Sequence, residues 1–275
     1  MQTVLGAINV LLPIAYLVVA AAYGLLFFSA HPLAARTATP ALCITVLLHL
    51  VYLVGLAAQH RQFPAATVSQ ALSVVSLAVA LVYVFVEWLG RERSTGFWLV
   101  SMVFFFQLLA SILARPSAPG VANFKNAVFA THVSLALLGY AAFVVAAVYA
   151  FLYLQLYRDL KAGRYSAFFG KLPPLEVLER MMLWALRAGF VALTGAVLAG
   201  GFWGERNYAP GFSLHDPKIL VTLAIWLLYA AALLLRRLRR WQGRQTALAS
   251  LAGLCVILFS LVAVNFFFTG FHGFR

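Results

Sequence analysis

Cysteine is nearly absent. The 275 residues contain two, Cys43 and Cys255, each alone within an apolar run, and no C-x-x-C occurs. That argues against a thiol relay and against a cysteine-ligated metal site. Charge is scarce as well: Asp, Glu, Lys and Arg together make up 10% of the chain, with 7 acidic residues against 20 basic ones. A soluble domain carries about 25% charged residues, so a soluble enzyme, a fibrous protein and a disordered chain are all excluded. No constellation of catalytic residues in the hydrolase or transferase sense is visible.

What the chain has in excess is apolar surface. Apolar residues account for 64% of the sequence, against roughly 45–50% in soluble domains, and no single core of this size hides such a surplus. The apolar runs fall at residues 4–29, 39–59, 64–89, 96–114, 126–157, 178–203, 218–235 and 246–271, separated by polar, proline or glycine punctuation. At about 20 residues per helical span, this predicts an all-α polytopic membrane protein of about eight transmembrane helices. Membrane barrels show shorter alternating segments, not unbroken runs of this length. The first run lacks a basic leader and an evident cleavage site, and reads as a retained span. No inverted repeat stands out, so residues 1–275 read as one membrane domain.

The basic residues collect on one side. Thirteen of the 20 follow the first, third, fifth and seventh runs, among them Arg91, Arg93, Arg158, Arg180, Arg236, Arg237 and Arg239, and six lie in the opposite loops. Positive-inside bias places the thirteen in the cytoplasm and both termini on the non-cytoplasmic side. The net charge of +13 would suggest nucleic acid in a soluble protein. Here the charges sit between spans, where topology and anionic lipid account for them, and no nucleic-acid partner is expected. Glu87 and Arg187 are charges inside apolar runs, both toward cytoplasmic ends; they either snorkel independently or form an ion pair with each other between the third and sixth helices.

The same topology sorts the six histidines. His132 lies about two turns inside the outer end of the fifth run, His215 in the outer loop between the sixth and seventh, and His272 at the outer end of the eighth. Three imidazoles from separate segments thus reach one level of one face. Each alone reads equally as a hydrogen-bonded interfacial histidine; together they have the ligand type that iron, zinc or copper takes, and two on opposite sides of a plane suit a six-coordinate haem. His49 stands near the midpoint of the second run with no charged residue within ten positions. It is either a deeper ligand or relay position, or a hydrogen-bonding partner for a neighbouring helix. His31 and His60 lie in or beside loops and read as solvated.

The outer loop from Trp203 to Lys218 mixes aromatic, charged and turn-forming residues. Its aromatics can cover a flat ligand, and Arg206 and Lys218 can pair with carboxylates. Alternatively it is an interfacial loop. In either case Asp216 and Pro217 match the cap and first position of the seventh helix. Small residues near His132, namely Ser134, Ala136, Gly139, Ala141 and Ala142, permit close approach of another helix or, equally, of a flat ligand.

His132-Val133-Ser134 followed by Leu138-Gly139-Tyr140-Ala141-Ala142, then Gly195-Ala196-Val197 leading to Trp203-Gly204, then Asp216-Pro217-Lys218 with Trp226, and finally His272-Gly273 after Asn265 resemble, in that order, the cytochrome c assembly family (CcsA/CcmC/ResC). Within it the chain is most similar to the small eight-helix YpjD/HemX-like branch. The resemblance is best over residues 126–275, with a core of about 39–275. It implies haem handling on the outer face of a bacterial inner (plasma) membrane: a non-covalent, b-type haem held by His132 and His272 as axial ligands. The loop with Trp203, His215 and Asp216 would cover that haem, and Arg206 and Lys218 would serve as propionate partners. A further histidine within the membrane is implicated in haem passage, and His49 is the candidate. Partners implied are other assembly subunits or an apocytochrome, besides membrane lipid.

The loop departs from the family pattern, which is close to W-G-x-x-W-x-W-D-P-K-E: after Trp203-Gly204 comes a longer stretch without a further Trp, and His215 directly precedes Asp216. Haem delivery, not a classical catalytic site, is the expected activity. The alternative is a HemX-like regulator or scaffold that affects haem synthesis or another membrane complex without transferring haem.

Overall fold

The computed structural model describes residues 2–65, 67–90, 93–114, 127–163, 170–207, 217–239 and 241–267. Among these residues there are eight helices and no strand: α1 Gln2–Ser29, α2 Pro32–His60, α3 Val68–Gly90, α4 Gly96–Ile112, α5 Ala127–Ala162, α6 Leu175–Asn207, α7 Pro217–Arg239 and α8 Gly243–Phe267. Six of them are long and apolar enough to cross a membrane, and α4 and the Gly243–Phe259 part of α8 are shorter apolar segments.

The distribution of side chains is that of a membrane protein. Large apolar residues are exposed on helix after helix, such as Ile44, Leu47, Val51 and Val54 on α2 and Val191 and Leu198 on α6. Polar ones are buried: Thr45, His49, Ser69, Ser73, Ser76, Glu87 and Gln107 have almost no accessible surface. In water this arrangement would be self-defeating. In hydrocarbon it is required, because a polar side chain without a partner costs most there and apolar packing gains nothing from hiding.

Helix boundaries differ from the apolar runs for local reasons. Helix α2 begins at Pro32, several residues before the apolar run, because a proline at the first helical position has no amide to lose and its φ is already helical. Helix α6 begins directly after Pro173-Pro174, with Glu176 in its first turn where the helix dipole favours it. Helix α7 starts at Pro217, the position expected from the Asp216-Pro217 pair.

The contacts divide the chain into two compact units, residues 1–125 with 167–172 and residues 126–166 with 173–275. In the first, α1 packs on α2 and α4, and α3 on α4 and α2. The buried stripe of α1, Leu12, Tyr16, Val19 and Tyr23, has the three- and four-residue steps of one helix face. Glu87 ties this unit together at one end: its carboxylate accepts from the Tyr23 and Thr39 hydroxyls and pairs with Arg93 Nε at 3.0 Å. The ion pair expected between Glu87 and Arg187 does not form among the described residues: the carboxylate pairs instead with Arg93, in the loop after α3.

In the second unit α5 packs along α6 and against α8, and α7 packs on α8 and α6. The α5–α6 seam is built on small residues. A methyl group at Gly139 would lie 3.2 Å from the Gly189 carbonyl oxygen and the Leu193 amide, so glycine is what lets the two backbones approach. The core above it joins Phe143, Leu186, Leu193, Ile225 and Tyr229, with the Phe143 and Tyr229 rings stacked at 3.8 Å.

Candidate functional site

His132 sits on the second turn of α5, half-buried, and its Nδ1 lies 2.6 Å from the Ala196 carbonyl oxygen of α6. A carbonyl only accepts, so Nδ1 carries the hydrogen and the neutral ring has its lone pair on Nε2. Metal-binding histidines commonly have this arrangement, in which one ring nitrogen donates to a carbonyl and the other is left as the ligating atom.

The sequence of α6 makes room for the ring. One turn beyond Ala196 is Gly200, where an added methyl would fall 2.7 Å from His132 Cε1 and Nδ1. The next turn brings Trp203, nearly buried. Phe129, one turn before His132, joins the two: its ring centroid is 4.9 Å from Trp203 and 6.2 Å from His132. His132 and Trp203, which the family resemblance assigns to one site, are therefore near neighbours at one end of the second unit. Ala196 and Gly200 were not among the candidates. A carbonyl that any residue supplies, and a glycine whose use depends on what faces it, leave no signature in a sequence.

A further polar contact joins α7 to α6. Trp226 Nε1 donates to Thr194 Oγ1 at 2.9 Å and stacks on Phe190. Arg206 lies on the last turn of α6 and Lys218 on the first turn of α7. Their backbones thus flank the loop of residues 208–216. That loop, with His215 and Asp216, and the segment 268–275, with His272, lie outside the described residues. Among the described residues no group of three or more His, Cys, Asp or Glu could hold a metal ion. A haem site of the kind the sequence suggests needs only one protein nitrogen on each side of a ring plane, and the bond to Ala196 sets the His132 tautomer that such a role requires.

His49, in the first unit, has a different environment. It is fully buried, with Nδ1 3.0 Å from the Tyr16 hydroxyl and Nε2 2.9 Å from Ser73 Oγ. Ser73 donates to Gln107 Oε1, Gln107 Nε2 reaches Ser111 Oγ, and Ser111 donates to the Asn9 carbonyl oxygen. Since the Ser73 hydrogen is committed to Gln107, Ser73 accepts from His49 Nε2–H, and Nδ1 accepts from Tyr16. Both ring nitrogens are thus engaged in one directional chain that crosses α1, α2, α3 and α4. Tyr16, Ser73 and Gln107 were not linked to His49 in the sequence, because the packing of four helices brings them to one level.

These features describe a multi-pass helical membrane protein with an oriented histidine and a tryptophan at one end of a four-helix unit. The sequence profile described as Cytochrome C assembly protein matches residues 37–272, and the chain belongs to that family. Similar proteins named cytochrome c biogenesis protein CcsA include that of Heterosigma akashiwo, 25% identical over 250 residues and covering 78% of this chain and 77% of the relative. That of Prochlorococcus marinus is 26% identical over 250 residues, with 78% of each chain covered. That of a Synechococcus species is 27% identical over 242 residues, covering 78% of this chain and 79% of the relative.

Proposed function

We propose that this chain binds haem non-covalently, as a b-type centre, and presents it for cytochrome c assembly at the outer face of a bacterial inner membrane, with both termini on that face. His132 and His272 are the axial ligands. Trp203, His215 and the loop that Asp216 closes cover the site, and Arg206 and Lys218 pair with the propionates. Saturating iron with two imidazoles holds it for transfer and away from oxygen chemistry. The partners are other assembly subunits or an apocytochrome, with membrane lipid around the spans and no nucleic acid.

The observation that carries this reading is the 2.6 Å hydrogen bond from His132 Nδ1 to the Ala196 carbonyl oxygen, which commits the neutral ring to an Nε2 lone pair. For His49, two occupied ring nitrogens support the role of a brace between helices over that of a ligand. The test is the absorption spectrum of the purified protein, oxidised and dithionite-reduced, for the parent, His132→Ala and His272→Ala. A Soret band with sharp reduced α and β bands, lost or shifted in both variants, supports the reading; haemin binding equally to all three overturns it.

One observation favours the second reading, a HemX-like regulator or scaffold. Between Gly204 and Lys218 there is no tryptophan, so the aromatic platform of the family pattern is reduced. Function that survives replacement of both outer histidines would mark that alternative.

A further inference from the structure

Helices α6 and α7 meet in a cleft of about 290 Å³ lined by Glu176, Glu179, Arg180, Leu183, Trp184, Arg187 and Arg236. The haem reading uses none of these residues. Two of the charges neutralise each other: Arg236 Nη2 lies 2.5 Å from Glu179 Oε1, which clamps α7 to α6 and forms the back of the cleft. Arg180 and Arg187 are exposed and have no carboxylate within ion-pair distance among the described residues, and Glu176 is likewise without an ionic partner. The cleft therefore keeps an excess of one positive charge.

Its depth is fixed by the sequence. Residues 188–204 on α6 and residues 219–235 on α7 are each 17 positions without a charged side chain, and the arginines at 187 and 236 end these stretches on the same side. Seventeen helical residues rise ~25 Å, less than the ~30 Å of a hydrocarbon core. The Cα of Arg187 therefore lies at the edge of the hydrocarbon, where an arginine is costly unless its guanidinium reaches a phosphate or water. Helical side chains lean toward the N-terminus, and for α6 that direction is toward the headgroups and Arg180. Trp184 is 66% exposed on the same face, and an indole with one apolar and one polar edge favours this level of the bilayer.

We propose that this cleft holds the headgroup of one anionic glycerophospholipid from the leaflet it faces. Arg187 binds the phosphate from the apolar side, Arg180 closes the cleft two turns nearer the helix start, and Trp184 packs on the glycerol and upper acyl carbons. A headgroup of net charge −1 neutralises the excess positive charge. A zwitterionic headgroup leaves it uncompensated, and a soluble anion gains nothing from Trp184. This site is independent of His132, so it stands or falls separately from the haem reading.

The test is native mass spectrometry of the full chain released from nanodiscs of mixed phosphatidylglycerol and phosphatidylcholine. The parent is expected to retain one phosphatidylglycerol in preference to phosphatidylcholine, and Arg180→Gln/Arg187→Gln to lose that preference at least tenfold. Arg237→Gln, an exposed arginine of α7 that does not line the cleft, should keep it. Because the arginine variants are surface changes, their helical circular dichroism and melting temperature in detergent serve as the check on folding and should match the parent. Equal retention by the parent and the double variant, equal loss in Arg237→Gln, equal retention of phosphatidylcholine, or displacement of the lipid by millimolar inorganic phosphate would each overturn the proposal.

Discussion

Replacing Gly200 with alanine isolates the link between helix packing and the histidine. The new methyl would lie 2.7 Å from Cε1 and Nδ1 of the His132 ring, about 0.8 Å inside the ~3.5 Å at which non-bonded carbons pack. Both neighbours of the methyl are ring atoms anchored by a hydrogen bond, so the ring has to retreat by about that distance. The 2.6 Å bond from Nδ1 to the Ala196 carbonyl oxygen then stretches beyond the ~3.2 Å limit of an effective N–H···O bond. Overpacking costs about 1–3 kcal/mol and the weakened hydrogen bond about 1 kcal/mol, while glycine-to-alanine in a helix returns about 1 kcal/mol. The balance is a destabilisation of about 1–3 kcal/mol, and loss of an orienting partner weakens metal affinity by roughly 10–100-fold.

Gly201 supplies the control. A methyl there meets nothing within 4 Å, so Gly201→Ala carries the propensity gain without the clash. Haemin titration followed in the Soret region, with thermal unfolding measured in the same detergent, should show Gly200→Ala weakened by the stated factor and Gly201→Ala at or above the parent. If the two variants bind haemin alike, the placement of His132 against Gly200 does not govern the site and the reasoning fails.

Other substitutions test the packing. His49→Phe removes both hydrogen bonds of the ring to Tyr16 and Ser73 and should lower stability by about 1–2 kcal/mol, the scale of interhelical hydrogen bonds in membranes. The haem spectrum should not change, and a lost Soret band with unchanged melting would contradict the brace role. Glu87→Gln keeps an acceptor oxygen for one of the Tyr23 and Thr39 hydroxyls, offers an amide N–H to the other, and gives up the ion pair to an exposed Arg93, so it should cost about 1 kcal/mol. Glu87→Leu strands two hydroxyls and should cost about 3 kcal/mol or more, as read by thermal unfolding. Gly189→Ala places a methyl 2.7 Å from the Phe143 ring and should reduce stability by about 1–3 kcal/mol; an unchanged melting temperature would show that the α5–α6 seam yields more easily than its geometry indicates.

Much of the fold was legible from the amino-acid order because helix identity in a membrane is a matter of run length and punctuation. Eight apolar runs became eight helices, and Pro217 opened α7 as a proline at a first helical position should. The membrane class followed from the same arithmetic, and so did the close α5–α6 approach from the small residues around Gly139. The site was legible only in part. His132 and Trp203 were visible as members of one expected site, but Phe129, whose ring is tilted against both, was not.

What escaped has one physical cause. The acceptor for His132 is a backbone carbonyl, the partner of Glu87 is a loop arginine, and the hydrogen-bond partners of His49 come from two other helices. All of these depend on rotational phase between helices, which an apolar run fixes poorly when every face is greasy. Buried polar residues scattered through α2, α3 and α4 were the available signal. In a bilayer each must find another, so Ser73 and Gln107 could have been paired with His49 as a group even without knowing the register.

The central claim is that His132 supplies an axial nitrogen to haem, and chemical rescue tests it most directly. In His132→Gly the reduced-minus-oxidised spectrum of the purified protein should lose its sharp α band and regain it when imidazole is added, since the vacated space next to Gly200 admits a free ring. A spectrum that keeps the parental bands in His132→Gly without imidazole would contradict the account.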